Sequence, residues 1–174
     1  MPLNRKAQFG RKMTMIAAGE TPEIQAEIPS PEPRPEPKLC IDFELTVAQN
    51  LFLQCSERGA LFIGGIGSSK TYGLCIWALT RAMQGKRVCL VSFSYRTLID
   101  VIQRTINEIL NKINLNRDKD WTFVAGEMKF CIFSGEIMLR SGDNPESLRG
   151  LNLHCFGVDE GSNFKNDELF KILL

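Results

Sequence analysis

The chain has 174 residues and a formal net charge of +1, which is the size of one domain or at most two. A charge so close to zero argues neither for nor against nucleic acid as a partner, because a neutral total can conceal a basic groove. The six cysteines contain no C-x-x-C pair, so neither a zinc site nor a disulfide framework is predicted. No apolar run reaches the roughly 18 residues that span a bilayer. We therefore expect an intracellular protein without a membrane partner.

The composition of residues 1–38 predicts a disordered leader. The first part, 1–19, carries four basic and no acidic side chains, and 20–38 is rich in proline and glutamate. Proline lacks a backbone donor and favours polyproline II, so this segment cannot build a packed core. We interpret it as a solvated leader, with a DNA-contacting tail or a docking peptide as alternatives. The globular domain is expected to span 39–174.

A capping box predicts the first helix of the globular part. Thr46 and Gln49 form the pattern T-x-x-Q, in which each side chain bonds the backbone of the other. We expect the helix to run to about Arg58 and to be closed by Gly59. Gln49 has a second interpretation, because many nucleic-acid motor ATPases place a glutamine shortly before the phosphate loop to read the adenine edge. Both interpretations of Gln49 stay open.

The stretch 64–71 reads G-G-I-G-S-S-K-T and follows an apolar run, Ala60–Ile63, that predicts a strand. A strand, a glycine-rich turn and a helix N-terminus in this order are typical of a phosphate-binding loop. Its small residues let backbone N–H groups point at one anion, and the helix dipole favours negative charge there. The residues expected to bind the nucleotide are Gly64, Gly65, Gly67, Ser68, Ser69, Lys70 and Thr71. Lys70 would reach the β- and γ-phosphates of ATP, and the Thr71 hydroxyl would ligate Mg²⁺.

Ser69 departs from the usual pattern G-x-x-x-x-G-K-[ST], which has glycine at this place. Serine has a Cβ, so a positive φ at Ser69 would carry strain. The alternative to a phosphate loop is a plain glycine-rich turn from strand to helix with an exposed lysine.

The patterns downstream predict an α/β domain. Val88–Phe93 is a continuous apolar run, as expected of a strand buried on both faces. Apolar residues at steps of three and four in 98–113 predict a helix packed on the sheet. Met128–Arg140 alternates with a period of two around a turn and predicts a β-hairpin. The polar segment Gly142–Gly150 predicts a surface loop.

An apolar strand that ends in Asp-Glu, within Leu151–Glu160, predicts the second half of a nucleotide site. In a parallel sheet the carboxyl end of this strand opens into the same crevice as the phosphate loop. Asp159 would hold the Mg²⁺ shell, and Glu160 would orient or deprotonate the attacking water. The alternative is two acidic residues at an ordinary strand end, but the upstream loop and this strand support each other.

These motifs resemble the large subunit of the terminases, the DNA-packaging motors of tailed bacteriophages. The motifs that carry the resemblance are, in chain order, T-V-A-Q, G-G-I-G-S-S-K-T, a hairpin with F-S-G, G-D-N-P-E-S-L-R-G and V-D-E. P-E-S-L-R-G is the most specific of these, because helicase-type ATPases share the nucleotide motifs but do not usually place this loop before Asp-Glu. The resemblance covers about 40–174. It implies a helicase-like, additional-strand P-loop NTPase fold, with a mostly parallel sheet flanked by helices.

The resemblance also implies an activity, which is ATP hydrolysis with Mg²⁺ that drives double-stranded DNA into a procapsid. Lys70 and Thr71 would bind phosphate and metal, Asp159 would belong to the metal shell, and Glu160 would be the catalytic carboxylate. Arg149 would stabilise charge on the transferring phosphoryl group, with the alternative that it only pins its own loop. The implied partners are DNA, a portal protein, the terminase small subunit and further copies in a ring, in the cytoplasm of the host cell.

Several positions depart from the family pattern. Ser69 replaces a glycine, Ile66 stands where many members carry arginine, and Gly161-Ser162 follow Asp-Glu where a small apolar residue is common. Because the sequence stops at Leu174, we expect neither the coupling motif nor the nuclease domain, and hence no DNA cleavage and slow turnover. Two rival interpretations stay open. One is a helicase-type ATPase fragment, and the other is a non-catalytic remnant that binds DNA or a partner.

Overall fold

A computed structural model describes residues 43–164 and 167–173. The predicted leader, 1–38, lies outside the described residues. The described part is an α/β structure in which a five-stranded mixed sheet is flanked by helices. None of its helices is long and apolar enough to cross a membrane.

The described chain has helices at its start, middle and end, with the strands between them. The helices are α1 Val47–Gln54, α2 Lys70–Met83, α3 and α4 Glu168–Leu173, where α3 has three consecutive parts, Tyr95–Thr97, the π-helical Leu98–Gln103 and Arg104–Lys112. The strands are β1 Arg87–Ser92, β2 Trp121–Val124, β3 Lys129–Ile132, β4 Gly135–Ser141 and β5 Cys155–Val158. Short 3-10 turns occupy Ala125–Glu127, Pro145–Leu148 and Gly161–Asn163.

The sheet has the strand order β2-β3-β4-β1-β5. β1 is parallel to both of its neighbours, β4 and β5, whereas β2, β3 and β4 form an antiparallel meander. The predicted hairpin is confirmed as β3 and β4, joined through Phe133 and Ser134. Strands joined by so short a connection must run antiparallel. The sheet is therefore mixed, and the predicted parallel arrangement is found only at β4, β1 and β5.

The core lies on both faces of β1, as the continuous apolar run predicts. Val88 and Leu90 belong to the larger cluster of buried side chains, which includes α2 and α3. Cys89 and Val91 face a second cluster that includes Leu169 of α4. The apolar stripe of α3 is also confirmed as core, with buried side chains at Leu98, Ile102, Ile106, Ile109 and Leu110. Burial of β1 on both faces fixes its position at the centre of the parallel strands.

Two predictions around the phosphate-loop stretch are wrong. α1 ends at Gln54 with Cys55 as its C-cap, well before Gly59. Ala60–Ile63 forms no strand, and its side chains Leu61 and Ile63 are 84% and 80% exposed. An apolar run becomes a strand only where a neighbour completes the hydrogen-bond ladder. Within the described chain β5 is one of the two edge strands of the sheet, and it pairs with β1 alone.

Candidate functional site

The glycine-rich stretch folds around the side chain of Lys70, the first residue of α2. The Lys70 ammonium donates hydrogen bonds to the carbonyl oxygens of Gly64 and Gly65, both at 2.8 Å, and to Ser68 Oγ at 3.3 Å. These partners lie on both arms of the turn, so the ammonium lies within it. The N-terminus of a helix carries partial positive charge. The lysine and α2 therefore place positive charge at the same point, as anion binding requires.

The strain that the sequence predicted at Ser69 is present. Ser69 is the N-cap of α2 and has φ 54 and ψ 33, in the left-handed region. A non-glycine residue in this conformation costs roughly 1–2 kcal/mol. The backbone of Gly64 also approaches Ser68 closely, because a Cβ on Gly64 would lie 2.6 Å from Ser68 Oγ. The loop therefore combines close approach of its two arms with one strained residue.

We expect Ser69→Gly to raise the free energy of unfolding by about 0.5–1 kcal/mol, because glycine adopts positive φ without strain. Urea denaturation measures the change. The matched control is Ser68→Gly, since Ser68 is the neighbouring loop serine and has no positive φ. An equal gain in both variants would show that the left-handed conformation of Ser69 is not the cause.

Gln49 connects α1 to the loop. Its Oε1 accepts a hydrogen bond from Thr46 N at 2.9 Å, and its backbone N–H donates to Thr46 Oγ1 at 3.2 Å, so the predicted capping box is confirmed. Its Nε2 donates to the carbonyl oxygen of Ser69 at 3.1 Å, and the residue is only 3% exposed. Both ends of the amide are thus bonded within the chain. Recognition of adenine by Gln49 stays a prediction.

Thr71 and Asp159 meet although they lie 88 residues apart in the chain. Thr71 Oγ1 donates to the two carboxylate oxygens of Asp159, at 3.0 and 3.1 Å. Asp159 directly follows β5, and its backbone N–H donates to Val91 O of β1 at 2.9 Å. The sheet therefore brings the predicted metal carboxylate to the first turn of α2.

The environment of Asp159 disfavours its charged form. Asp159 is 6% exposed. Burial raises the pKa of its carboxyl above the ordinary value, and the charge of Glu160 adds to the rise. The hydrogen bond from Thr71 and the charge of Lys70 act in the opposite direction. A cation beside Asp159 would remove much of the cost of its ionisation.

We expect Asp159→Asn to stabilise the ligand-free protein by on the order of 1 kcal/mol near pH 8, because it removes a buried charge and keeps an acceptor for Thr71. A folded-state pKa above the unfolded-state value makes the ionised carboxylate a cost at high pH, and this cost fades as pH falls through the folded-state pKa. The advantage of the variant should therefore shrink in acid. Denaturation at several pH values measures it, with the exposed Asp143→Asn as control. A pH-independent difference would contradict this explanation.

Glu160 lies at the exposed end of β5 in an uncommon backbone conformation. It has φ 53 and ψ 44, and its Oε2 accepts a hydrogen bond from Asn163 Nδ2 at 2.9 Å. Left-handed residues other than glycine are frequent at functional sites, where the surrounding structure holds them. The carboxylate of Glu160 is accessible to solvent, whereas that of its neighbour Asp159 is buried.

Arg149 lies on the surface of its own loop. It pairs with Glu146 at 2.6 Å, and both side chains are more than half exposed. The preceding residue, Leu148, is buried in the second core cluster and anchors the loop. Across the described ranges, no hydrogen bond or ion pair joins Arg149 to Lys70 or Asp159. Its contacts match the interpretation that it pins its loop, and a role at the phosphoryl group stays a prediction.

The donors present fit Mg²⁺ that is bound together with a phosphate ligand. The part of the chain that the structure describes contains no group of three or more His, Cys, Asp or Glu side chains placed to hold a metal. Thr71 and Asp159 supply hard oxygen donors, and Mg²⁺ is usually bound through one or two carboxylates plus substrate phosphates. These two residues would therefore hold the ion only with a ligand that supplies further oxygens.

Ser92 is a residue of this region that sequence reasoning missed. It ends β1, it is fully buried, and its Oγ has no hydrogen-bond partner among the residues described. The signal in the sequence is a hydroxyl at the end of an otherwise apolar run. A hydroxyl in this position does not indicate a functional residue unless the pairing of the strands is also known.

Comparison of the chain with protein-family models, with curated proteins and with solved structures gave no match. What the site does is therefore inferred from its own geometry and from the sequence motifs.

Proposed function

We propose that this chain binds ATP together with Mg²⁺. The hydrogen bond between Thr71 and Asp159 carries the proposal, because it joins the hydroxyl beside the loop lysine to the carboxylate beside β5. A phosphate cradle and a metal-binding carboxylate are needed within reach of each other in a nucleotide site of this type. The positive charge of Lys70 at the same helix end supplies the electrostatic part.

Lys70 would bind phosphate by exchanging one of its contacts within the loop. An ammonium has three donors, and two of them are bonded at 2.8 Å to the loop carbonyls of Gly64 and Gly65. The third contact, to Ser68 Oγ, is the longest at 3.3 Å. A phosphate oxygen would replace this weakest bond and gain a charge-assisted one. Thr71 and Asp159 would hold Mg²⁺, which neutralises charge on the phosphate oxygens.

The test is calorimetric titration of the wild-type chain with ATP, in Mg²⁺ and in EDTA. We expect binding that is tighter with Mg²⁺, because the metal links the phosphates to Thr71 and Asp159. AMP is the control ligand, since it has the same base and sugar but lacks the β- and γ-phosphates. AMP binding as tight as that of ATP, or no binding of ATP, would contradict the proposal.

Hydrolysis of ATP forms the second part of the proposal. Glu160 is a solvent-accessible carboxylate next to the metal carboxylate, which suits a base that takes a proton from water. Arg149 would act in hydrolysis only after leaving Glu146, which is a small cost because exposed ion pairs contribute roughly 0–1 kcal/mol. Binding is thus supported by more contacts than turnover is.

The biological setting of this ATPase rests on the sequence resemblance. We propose the DNA-packaging motor of a terminase large subunit, because G-D-N-P-E-S-L-R-G lies between the hairpin and Asp159. The proposed partners are double-stranded DNA, a portal protein, the small subunit and further copies of the chain in a ring. A portal gene beside the gene for this chain would support packaging. A neighbouring helicase C-terminal half would support the helicase-type rival.

We expect Gln49→Ala to weaken ATP and GTP binding by the same factor, about three- to tenfold, because it removes a hydrogen bond that holds Ser69. Calorimetry with both nucleotides measures the two affinities. Asn50→Ala, a substitution of the next residue on α1, is the control and should leave both affinities unchanged. A selective loss of ATP affinity in Gln49→Ala would instead support recognition of adenine.

A further inference from the structure

Ser92 lies at the carboxyl end of β1, between the ends of β4 and β5. Its register partner in β4 is Ser141. On the other side Val91 pairs with Val158, and Asp159 N donates to Val91 O. One residue further along, the same register places Ser92 beside Asp159. The two neighbouring strands lie about 4.8 Å apart.

The side chains of Ser92 and Asp159 are on the same face of the sheet. Leu90 pairs with Gly157, and a Cβ on Gly157 would lie 2.7 Å from a side-chain carbon of Leu74 in α2. Leu90 and Gly157 therefore face α2. Ser92 and Asp159 follow them by two residues, and side chains alternate between faces along a strand. Ser92 consequently faces the helix that begins with Lys70.

Of the hydroxyls of Thr71, Ser92 and Ser141, that of Ser92 has no hydrogen-bond partner among the described residues. Thr71 Oγ1 donates to Asp159, and Ser141 Oγ donates to Asp143 at 2.8 Å. Ser92 Oγ has no partner, although the residue is 0% exposed. A buried hydroxyl without a hydrogen bond costs about 1–3 kcal/mol. So costly a group next to a buried carboxylate indicates a bond that forms when a ligand is bound.

We propose that Ser92 is a positioning residue of the cation site. Its hydroxyl holds the Asp159 carboxylate, directly or through one water, once the cation takes up the oxygen of Thr71. Thr71 donates its hydroxyl to Asp159, so a second donor is needed when that oxygen turns to the metal. Partners of this kind orient metal-binding carboxylates. The inference rests on the proposed binding of ATP with Mg²⁺.

The test is Ser92→Ala, with Mg²⁺ titrated into the variant at a fixed ATP concentration and binding followed by calorimetry. We expect the Mg²⁺ concentration at half-saturation to rise about tenfold. The affinity for ATP in EDTA should stay unchanged, since the proposed bond of Ser92 is to Asp159 and not to the loop. Ser141→Ala is the matched control, because it removes a hydroxyl at the same level of β4 that is paired with Asp143. It should leave the Mg²⁺ midpoint unchanged.

Four outcomes would overturn the proposal. An unchanged Mg²⁺ midpoint in Ser92→Ala would refute it and leave ATP binding intact. Equal loss of affinity with and without Mg²⁺ would indicate general damage to the site. A wild-type chain that shows no Mg²⁺-dependent binding of ATP would remove the proposed function as well.

Thermal unfolding provides an independent measurement, since the Ser92→Ala protein without ligand should be at least as stable as wild type. A lower Tm would show that the hydroxyl is already bonded, which also contradicts the proposal.

Discussion

Lys70→Ala is expected to weaken binding of ATP with Mg²⁺ by about 100-fold. Its ammonium lies within the loop at the N-terminus of α2, and hydrogen bonds from a charged donor contribute about 1.5–3 kcal/mol each. The substitution removes that donor together with the positive charge that would face the phosphates. Calorimetric titration of wild type and variant measures the loss.

The design of this experiment separates lost binding from lost structure. The two carbonyls of Gly64 and Gly65 that the ammonium contacts are accessible to water, so the free energy of unfolding should change little. Lys86→Ala is the control, because Lys86 is an exposed lysine just before β1, at the opposite end of that strand from Ser92. It should bind ATP like wild type. Equal affinity of wild type and Lys70→Ala would mean that the phosphate-loop assignment is wrong.

Glu160→Gln is expected to lower the rate of ATP hydrolysis by about 100-fold or more and to leave ATP affinity unchanged. Glutamine has nearly the same shape as glutamate but cannot take a proton from the attacking water. The Glu160 carboxylate is exposed and is not part of the hydrogen bond between Thr71 and Asp159, so that hydrogen bond should be kept. Phosphate release measures turnover, and calorimetry measures binding on the same samples.

Asn163→Ala provides the matched control for Glu160→Gln. It removes the hydrogen bond from Asn163 Nδ2 to Glu160 Oε2 and keeps the carboxylate. Turnover in this control should remain within a few-fold of wild type. If Glu160→Gln hydrolyses ATP at the wild-type rate, another group is the base. If it loses ATP affinity as Lys70→Ala does, Glu160 serves binding and not the chemical step.

Local patterns predicted most of the elements because their information lies in neighbouring residues. The capping box of Thr46 and Gln49 specifies its own geometry, and the helical stripe in 98–113 specifies which face is buried. The continuous apolar run of β1 likewise predicts burial on both faces. Each of these predictions needs only the period of the pattern and the identity of the flanking residues.

Pairing between distant segments could not be predicted in the same way. Ala60–Ile63 has the composition of a strand, yet a strand also requires a neighbour, and composition does not name one. The sequence likewise did not predict whether β2 and β3 run parallel or antiparallel to β1. The free hydroxyl of Ser92 emerges only from the register of β1 beside Asp159.

Two residues of the candidate site were correctly expected to lie close together. The motifs named both Thr71 and Asp159, and the structure places their side chains in contact. The second bond of Gln49, to Ser69, was not predicted, because the motif explains only its capping contact. The ion pair of Arg149 with Glu146 was also missed, although the spacing of three residues would have allowed it.

The missing strand at Ala60–Ile63 has a consequence for the kinetics of the loop. At the entry to the loop, Phe62 stacks on Phe52 of α1 at 5.4 Å between ring centroids, and at its other end the carbonyl of Ser69 accepts the bond from Gln49 of α1. Both of these contacts join the loop to α1. The loop entry and α1 should then open as one unit that exchanges its amide protons faster than β1 does. Part of the free energy of ligand binding would be used to close that unit. The protection of the α1 amides from hydrogen exchange should therefore increase as ligand binds.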